Sequence, residues 1–248
     1  MTIMILADLH MNSMHHIYDL KKKVIDSVPL NEIDAIIICG DIFESNFNCN
    51  PYKQLSSIFN DTTTICCLGN HEFVSKTVEE VKNTYKKFYN PKKYNVHYLD
   101  IIGHYDIDGY RFIGNVLWYD GETKTNKDQN LDNFANGRWI DKYILNFNWK
   151  RENEKCVEQI EENFDKNKIN ILCTHHVPHI SLNKHIEENP GSVFNAYSGM
   201  KNLFDIVSPA YSFCGHTHRR VFRKVIEGTV CYNVGNDYGD FLHFILDI

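Results

Sequence analysis

The sequence predicts an α/β fold in which helices sandwich two mixed β-sheets. Three observations predict it. Short, continuous apolar runs rich in β-branched residues are bounded by Gly and Asp. They alternate with stretches of helical spacing, and the alternation occurs twice along the 248 residues. Hairpin signals then close the second half. At this length the chain is expected to form one domain, residues 1–248, with ample chain for a sizeable core.

The elements follow in order. Residues 3–7, Ile-Met-Ile-Leu-Ala, read as a buried strand, and 34–39 and 62–68 as two more. Continuous apolar runs of this kind suit strands covered on both faces. Between them, residues 16–28 and 77–89 carry helical spacing. The first places Ile17, Leu20, Val24 and Ile25 on one face. Lys21, Lys22 and Lys23 read as its solvated face, not as a nucleic-acid patch. In the second half, residues 110–117 form a strand ending at Trp118, and 149–164 a charged amphipathic helix. Residues 169–173 and 210–214 are strands. Residues 221–226 and 230–234 flank Glu227-Gly228-Thr229, a hairpin signal, and 241–248 closes a sheet. Two polar segments, 122–136 and 191–196, are the candidate mobile loops near the cleft.

Composition bounds the function. A net charge of −6 argues against passive affinity for nucleic acid or an anionic membrane. No run of 18 apolar residues indicates a membrane span, and Asp8 interrupts the N-terminal run before it could serve as a signal segment. Eight cysteines are present. Cys39, Cys66, Cys67, Cys173, Cys214 and Cys231 lie in or beside strand-like runs, where reduced Cys behaves as a small hydrophobe. The expectation is free thiols in a cytoplasmic protein.

Five motifs carry the chemistry. They are Asp8-Leu9-His10, Gly40-Asp41, Gly69-Asn70-His71-Glu72, Thr174-His175-His176 and Gly215-His216-Thr217-His218. Each follows a predicted strand, where open α/β sheets place their sites. Asp8 and His10 are two apart, as are His216 and His218, so each pair shares a face in an extended segment. Alone, the first pair reads as a strand-terminal Asp and a surface His, Gly40-Asp41 as a turn, and Asn70 as a turn former. Jointly they offer hard oxygens and borderline imidazoles, a donor set suited to Mn, Fe or Zn. Two such ions ~3.5–4 Å apart can activate a water and hold a phosphoryl group for in-line attack. His175 and His176 are adjacent, so on a strand end only one is expected to face the ions.

This set resembles the calcineurin-like metallophosphoesterase superfamily, over nearly the whole chain. The resemblance implies the four-layer α-β-β-α sandwich with two mixed β-sheets. It implies two divalent metal ions, Mn first, with Fe or Zn as alternatives. One ion falls to Asp8, His10, Asp41 and His218, the other to Asp41, Asn70, His175 and His216, with Asp41 bridging. A metal-bridging hydroxide then attacks phosphorus. His71 aids the leaving oxygen, as proton donor or as charge stabiliser, with Glu72 as a candidate to orient it. Glu44 reads as a supporting or loop carboxylate, and His176 as a supporting residue or cleft wall. Arg219 and Arg220 read equally as phosphate holders or as a solvated strand-edge pair. The other histidines, including His179 and His185, get surface or core readings, although His179 could line the pocket. Trp118, Trp139 and Trp149 read as core or cleft-rim aromatics.

Departures from particular branches narrow the choice. Asp41 is followed by Ile42-Phe43-Glu44-Ser45-Asn46, not by the Asp-Arg-Gly of the superfamily's Ser/Thr protein phosphatases. The chain ends with its last predicted strand, so the cap of DNA-break nucleases is not expected. The downstream pattern resembles small stand-alone bacterial or phage phosphoesterases. The expected activity is therefore hydrolysis of a small phosphomonoester or phosphodiester, with no membrane partner and nucleic acid disfavoured. The alternatives are a metal-dependent nuclease or repair subunit, and a non-catalytic scaffold that keeps its metals.

Overall fold

The computed structural model describes residues 1–122, 140–188 and 197–248. Trp139, the segment 191–196 and all of 122–136 but its first residue lie outside them. The first half runs β1 (Thr2–Leu6), α1 (Met14–Lys23), β2 (Ala35–Cys39), α2 (Pro51–Ile58), β3 (Thr64–Cys67), α3 (Val78–Phe88), β4 (Val96–Tyr98) and α4 (Leu99–Ile102). It continues into β5 (His104–Ile107) and β6 (Tyr110–Asn115). Then come α5 (Trp149–Asn163), β7 (Ile169–Thr174), α6 (Lys184–Glu188), β8 (Tyr211–Cys214), β9 (Val221–Ile226), β10 (Thr229–Asn233) and β11 (Phe244–Asp247).

The strands form two mixed sheets, ordered β11-β1-β2-β3-β4 and β5-β6-β7-β8-β10-β9. In the first, β1 to β4 are parallel and β11 pairs antiparallel with β1. In the second, β6, β7, β8 and β10 are parallel, with β5 and β9 antiparallel at the edges.

Side-chain alternation along the strands makes the layers. Ile3, Ile5, Ala7, Ala35, Ile37, Cys39 and Ile65 point one way and meet Phe112, Ile171, Cys173 and Phe213 of the other sheet. Their neighbours Met4, Leu6, Ile36, Ile38 and Cys66 point the other way, into a cluster with Ile17, Leu20, Tyr52, Leu55, Val81 and Tyr85 from the helices. Ile113 and Leu172 share that second cluster with Cys156 and Ile160 of α5. The result is the expected four-layer α-β-β-α sandwich.

Local signals set the helix starts. Ser13, Asn50 and Asn148 each accept a main-chain N–H at an N-terminus, and Thr77 forms a capping box with Glu80. Helix α1 is shorter than expected at its C-terminal end. Val28 precedes Pro29 and is extended (φ −115°), so the helix gives way to a short turn before it. Glu227 (φ 50°) and Gly228 (φ 87°) form the two-residue turn between β9 and β10. Thr229, expected in that turn, opens β10 instead. Helices α2, α4 and α6 and the short β4 and β5 lie outside the elements expected from sequence.

The topology gathers one edge of the molecule. The chain leaves β1, β2 and β3 at Asp8, Asp41 and Asn70, and leaves β7 and β8 at His175 and His216. All five are at the C-terminal ends of parallel strands.

Candidate metal centre

Two glycines allow these strand ends to approach. A Cβ on Gly40 would collide with the ring of His175, and one on Gly69 with the carboxylate and main chain of Asp41. Gly40 also sits at φ 76°. The Gly in Gly-Asp and in Gly-Asn is therefore required by the neighbouring motif, and at Gly40 by its own turn as well. Asp8, His10, Asp41, His216 and His218 themselves adopt left-handed backbone, at φ 53°, 45°, 48°, 68° and 50°. Each turns the chain sharply off its strand, which aims the side chain across the sheet edge. The first two loops run together, with His10 N donating to Asp41 O and Met11 N to Ile42 O.

The structure brings all seven candidate ligands into one cluster. Asp8, His10 and His218 have ligand atoms within 4.8 Å of one another, as do Asp8, Asp41 and His175. Asp41 Oδ2 lies 3.4 Å from His175 Nε2, 3.8 Å from His10 Nε2 and 3.9 Å from His71 Nε2. His175 Nε2 is 2.9 Å from Asn70 Oδ1 and 3.2 Å from His216 Nδ1. His10 Nε2 is 3.3 Å from His218 Nε2. Asp8 fixes the frame: its two oxygens accept the main-chain N–H of His216 and of Asn236.

His175, His216 and His10 each have one ring nitrogen on a protein oxygen, and His218 has a carboxylate nearby. His175 Nδ1 donates to Cys39 O at 3.0 Å and His216 Nε2 to Tyr197 O at 3.0 Å. His10 Nδ1 meets Glu44 Oε1 at 3.0 Å, and His218 Nδ1 lies 3.6 Å from Asp237 Oδ1. Asn70 donates its amide to Asp141 at 2.8 Å, which turns its carbonyl oxygen inward. The second nitrogen of every ring, and that carbonyl, point to the centre of the cluster.

His71 is arranged differently. Its Nδ1 contacts both oxygens of Glu44, at 2.9 and 3.1 Å, and its main-chain N–H donates to Asp41. Glu44 thus joins His10 to His71. Glu72, expected as a candidate to orient His71, is occupied elsewhere. It accepts the main-chain N–H groups of Ile42, Phe43 and Gly69, where it caps the turn Asn70–Phe73. His175 faces Asp41. His176 turns into a pocket of Trp118 and Tyr119, donates Nδ1–H to Val116 O, and stacks against the ring of His216 at 4.1 Å.

Electrostatics follow from this packing. Burial disfavours charge on His71, but Asp41 and the hydrogen bond to Glu44 outweigh it and hold the imidazole up at about 9. Burial likewise opposes charge on Glu44, yet hydrogen bonds from His10 and His71 bring it down to about 2. Asp41 is buried, and the surrounding His175, His71 and His10 still hold it well below the usual carboxylate range. Burial and neighbouring imidazoles push His216 down, so it is neutral. Burial has the same effect on His218.

Above the cluster lies a cleft of about 480 Å³. Asp41, Asn70, His71 and His216 form its floor, while His185, Arg219 and Tyr238 stand on its walls. Sequence reasoning gave His185 no role and left Tyr238 unread. A signal existed for the latter's loop, because Gly235-Asn236 follows β10 as Gly69-Asn70 follows β3. The paired arginines separate. Arg219 borders the cleft, 3.8 Å from Glu188, while Arg220 bonds to Gly235 O and Asn236 and packs over Phe244. His179 stacks on Phe204 and bonds Ser181 instead. Trp118 is fully buried and Trp149 packs on the core.

The calcineurin-like phosphoesterase family model matches residues 1–220 of the sequence. The chain belongs to that family. Against curated proteins the sequence finds no match. Similar solved structures include phosphopantetheinyl hydrolase from Mycobacterium tuberculosis, at 15% identity and TM-score 0.62, covering 96% of this chain and 90% of that one. A dimetal phosphatase from Danio rerio is similar at 13% identity and TM-score 0.51, over 97% and 88% of the two chains. The protein TT1561 of Thermus thermophilus is similar at 10% identity and TM-score 0.54, over 95% and 89%. At these identities the likeness establishes a shared fold. This phosphoesterase is a metal-dependent hydrolase by family, and its His and Asp groups are candidate holders of divalent cations. Among its described residues, no helix is long and apolar enough to cross a membrane.

Proposed function

We propose that this phosphoesterase uses two divalent cations to hydrolyse a small phosphomonoester or phosphodiester. Asp8, His10, Asp41 and His218 hold one cation. Asp41, Asn70, His175 and His216 hold the other, so Asp41 is shared. The observation that carries the reading is the convergence of electron-pair donors whose outer nitrogens are already engaged. His175 Nε2 faces a carbonyl oxygen at 2.9 Å, and His10 Nε2 faces another imidazole nitrogen at 3.3 Å. With Asp41 outweighing burial and raising His175 to about 9, a proton bridges the first of these contacts when no cation is bound, and cations seated among the donors would take the place of such protons. Imidazole, carboxylate and carbonyl together suit Mn first, with Fe or Zn as alternatives.

When bound, such cations act as Lewis acids toward the phosphoryl oxygens and supply an activated water. The chain's own residues do the rest. The neutral Asn70 carbonyl leaves the site more positive than a carboxylate would, which favours an anionic ester. Arg219 on the wall adds a second attraction. His71, with Nδ1 held by Glu44, presents Nε2 at the floor and gives its proton to the leaving oxygen. The eight unpaired cysteines and the net charge of −6 support a cytoplasmic enzyme acting on a small ester rather than on nucleic acid.

The test is hydrolysis of p-nitrophenyl phosphate and bis(p-nitrophenyl) phosphate with Mn, Fe, Zn, Ni or Co. Turnover of at least one ester is expected, greatest with Mn. Absence of turnover with every metal would refute the reading. Cleavage of an oligonucleotide under conditions that leave both small esters intact would make the protein a nuclease instead.

A further inference from the structure

Tyr238 is an exposed aromatic ring in the wall of the reaction cleft, with 63% of its surface accessible. Its ring centre lies 4.2 Å from that of His10 at a 31° tilt, 5.3 Å from His218 and 6.4 Å from His71. It therefore sits over the open end of the cluster, beside the residue assigned to the leaving oxygen. An exposed ring on a loose loop would carry little meaning. This one is held on both sides. Asn236 N donates to Asp8 Oδ2 at 3.1 Å, and the Asn236 amide donates to Ala7 O and Leu242 O. Lys23 Nζ donates to Gly239 O at 2.9 Å. The loop is thus tied to a proposed cation ligand, and among the described residues the tyrosine's ring contacts are with His10, His71 and His218 alone.

A ring fixed in this way loses little freedom when it receives a ligand. The cleft of about 480 Å³ is larger than a phosphoryl group needs and within the range of small-molecule sites. We infer that Tyr238 is a stacking platform for a planar ring in the leaving group. The substrate class is then a phosphoester whose alcohol carries a flat aromatic group, a nucleobase or an aryl ring. This rests on the proposed hydrolase reading, since that reading defines which side of the phosphorus leaves.

The test measures binding as well as turnover. The Mn-loaded parent, Tyr238→Ala and Tyr238→Phe are titrated with AMP, phenyl phosphate and inorganic phosphate by calorimetry. Base–aromatic stacking predicts that Tyr238→Ala weakens the preferred ring-bearing ligand roughly tenfold, with inorganic phosphate unchanged. Tyr238→Phe is expected to keep parental affinity, because stacking needs the ring and not the hydroxyl. Loss with AMP alone assigns a nucleobase, and loss with phenyl phosphate as well assigns a general aryl site. Equal weakening of all three ligands, no weakening of any, or a loss in Tyr238→Phe as large as in Tyr238→Ala would overturn the inference. Turnover of p-nitrophenyl phosphate and glycerol phosphate, followed in parallel, separates the two claims. A parent that binds AMP through Tyr238 but turns over no ester refutes the hydrolase reading and keeps the platform.

Discussion

His175 is shut off from the cleft at 0% exposure, whereas His218 stands part-exposed at the rim beside the exposed Tyr238. The two halves of the centre also differ in what holds their rings. In the enclosed half, His175 and His216 are pinned by main-chain carbonyls, those of Cys39 and Tyr197. In the open half, His10 is held by the side-chain carboxylate of Glu44, and His218 has that of Asp237 3.6 Å away. A main-chain partner moves only with the fold. A side-chain partner can rotate, titrate or be replaced. On the proposed reading, the half held by main-chain carbonyls is the more rigid cation seat, and the half beside side-chain carboxylates is the one that responds to pH and substrate.

Substitutions can break or sharpen this contrast. Asp41 belongs to both halves, and the largest effect is expected there. Asp41→Asn should lose at least one cation per chain, with a rate loss beyond the roughly 10–100-fold that follows loss of an outer partner. Metal analysis that finds two cations retained would remove its bridging role. His175→Ala comes next. It should empty the enclosed seat while Asp8, His10 and His218 keep the open one occupied, so the cation count drops by one. Loss of both cations would mean that the halves are not independent.

His71→Ala should keep both cations and lose rate by ~10²–10⁴. The loss should shrink for p-nitrophenyl esters, whose leaving group needs no proton. An equal loss for good and poor leaving groups would make His71 a charge stabiliser. Glu44→Gln should cost roughly 10–100-fold, because Glu44 orients both His10 and His71. It also carries a pH signature. Asp41 and Glu44 raise His71 to about 9, so the donor is protonated below that value and activity falls as pH rises through it. Bound cations offset part of Asp41's pull, which puts the basic limb at or below about 9. Removing the Glu44 charge should move that limb to lower pH, and an unmoved limb would detach Glu44 from the proton donor. The smallest change in cation content is expected for His176→Ala. It should leave that content near parental and cost packing behind His216, whereas stripping of the metal would show that His176 is the ligand.

Much of the cluster was legible in the sequence because most candidate ligands stand next to a glycine or just past a strand whose apolar run is unambiguous, with His10 and His218 two residues beyond such a ligand. Asp41 after Ile-Ile-Ile-Cys-Gly and Asn70 after Cys-Cys-Leu-Gly are examples. What stayed illegible depends on tertiary approach. Glu44 and Glu72 are both carboxylates close to their motifs. Which one reaches His71 was decided by the approach of two loops, whose main-chain N–H groups at Ile42, Phe43 and Gly69 consume Glu72. Tyr238 is read only once Asn236 is seen bonded to Asp8, 228 residues away. Strands β4 and β5, with three and four residues, are too short to carry a period and are ordered by their neighbours.

Asp8, His10, Asp41, His216 and His218 all sit in left-handed turns. Such conformations are less favourable for these residues than for glycine. A screen for thermal stability alone would therefore drift toward glycine at these very positions and erase the centre while improving the fold. The family's chemistry is thus maintained against a local stability gradient, and stabilised variants of this protein have to be sought away from the strand ends.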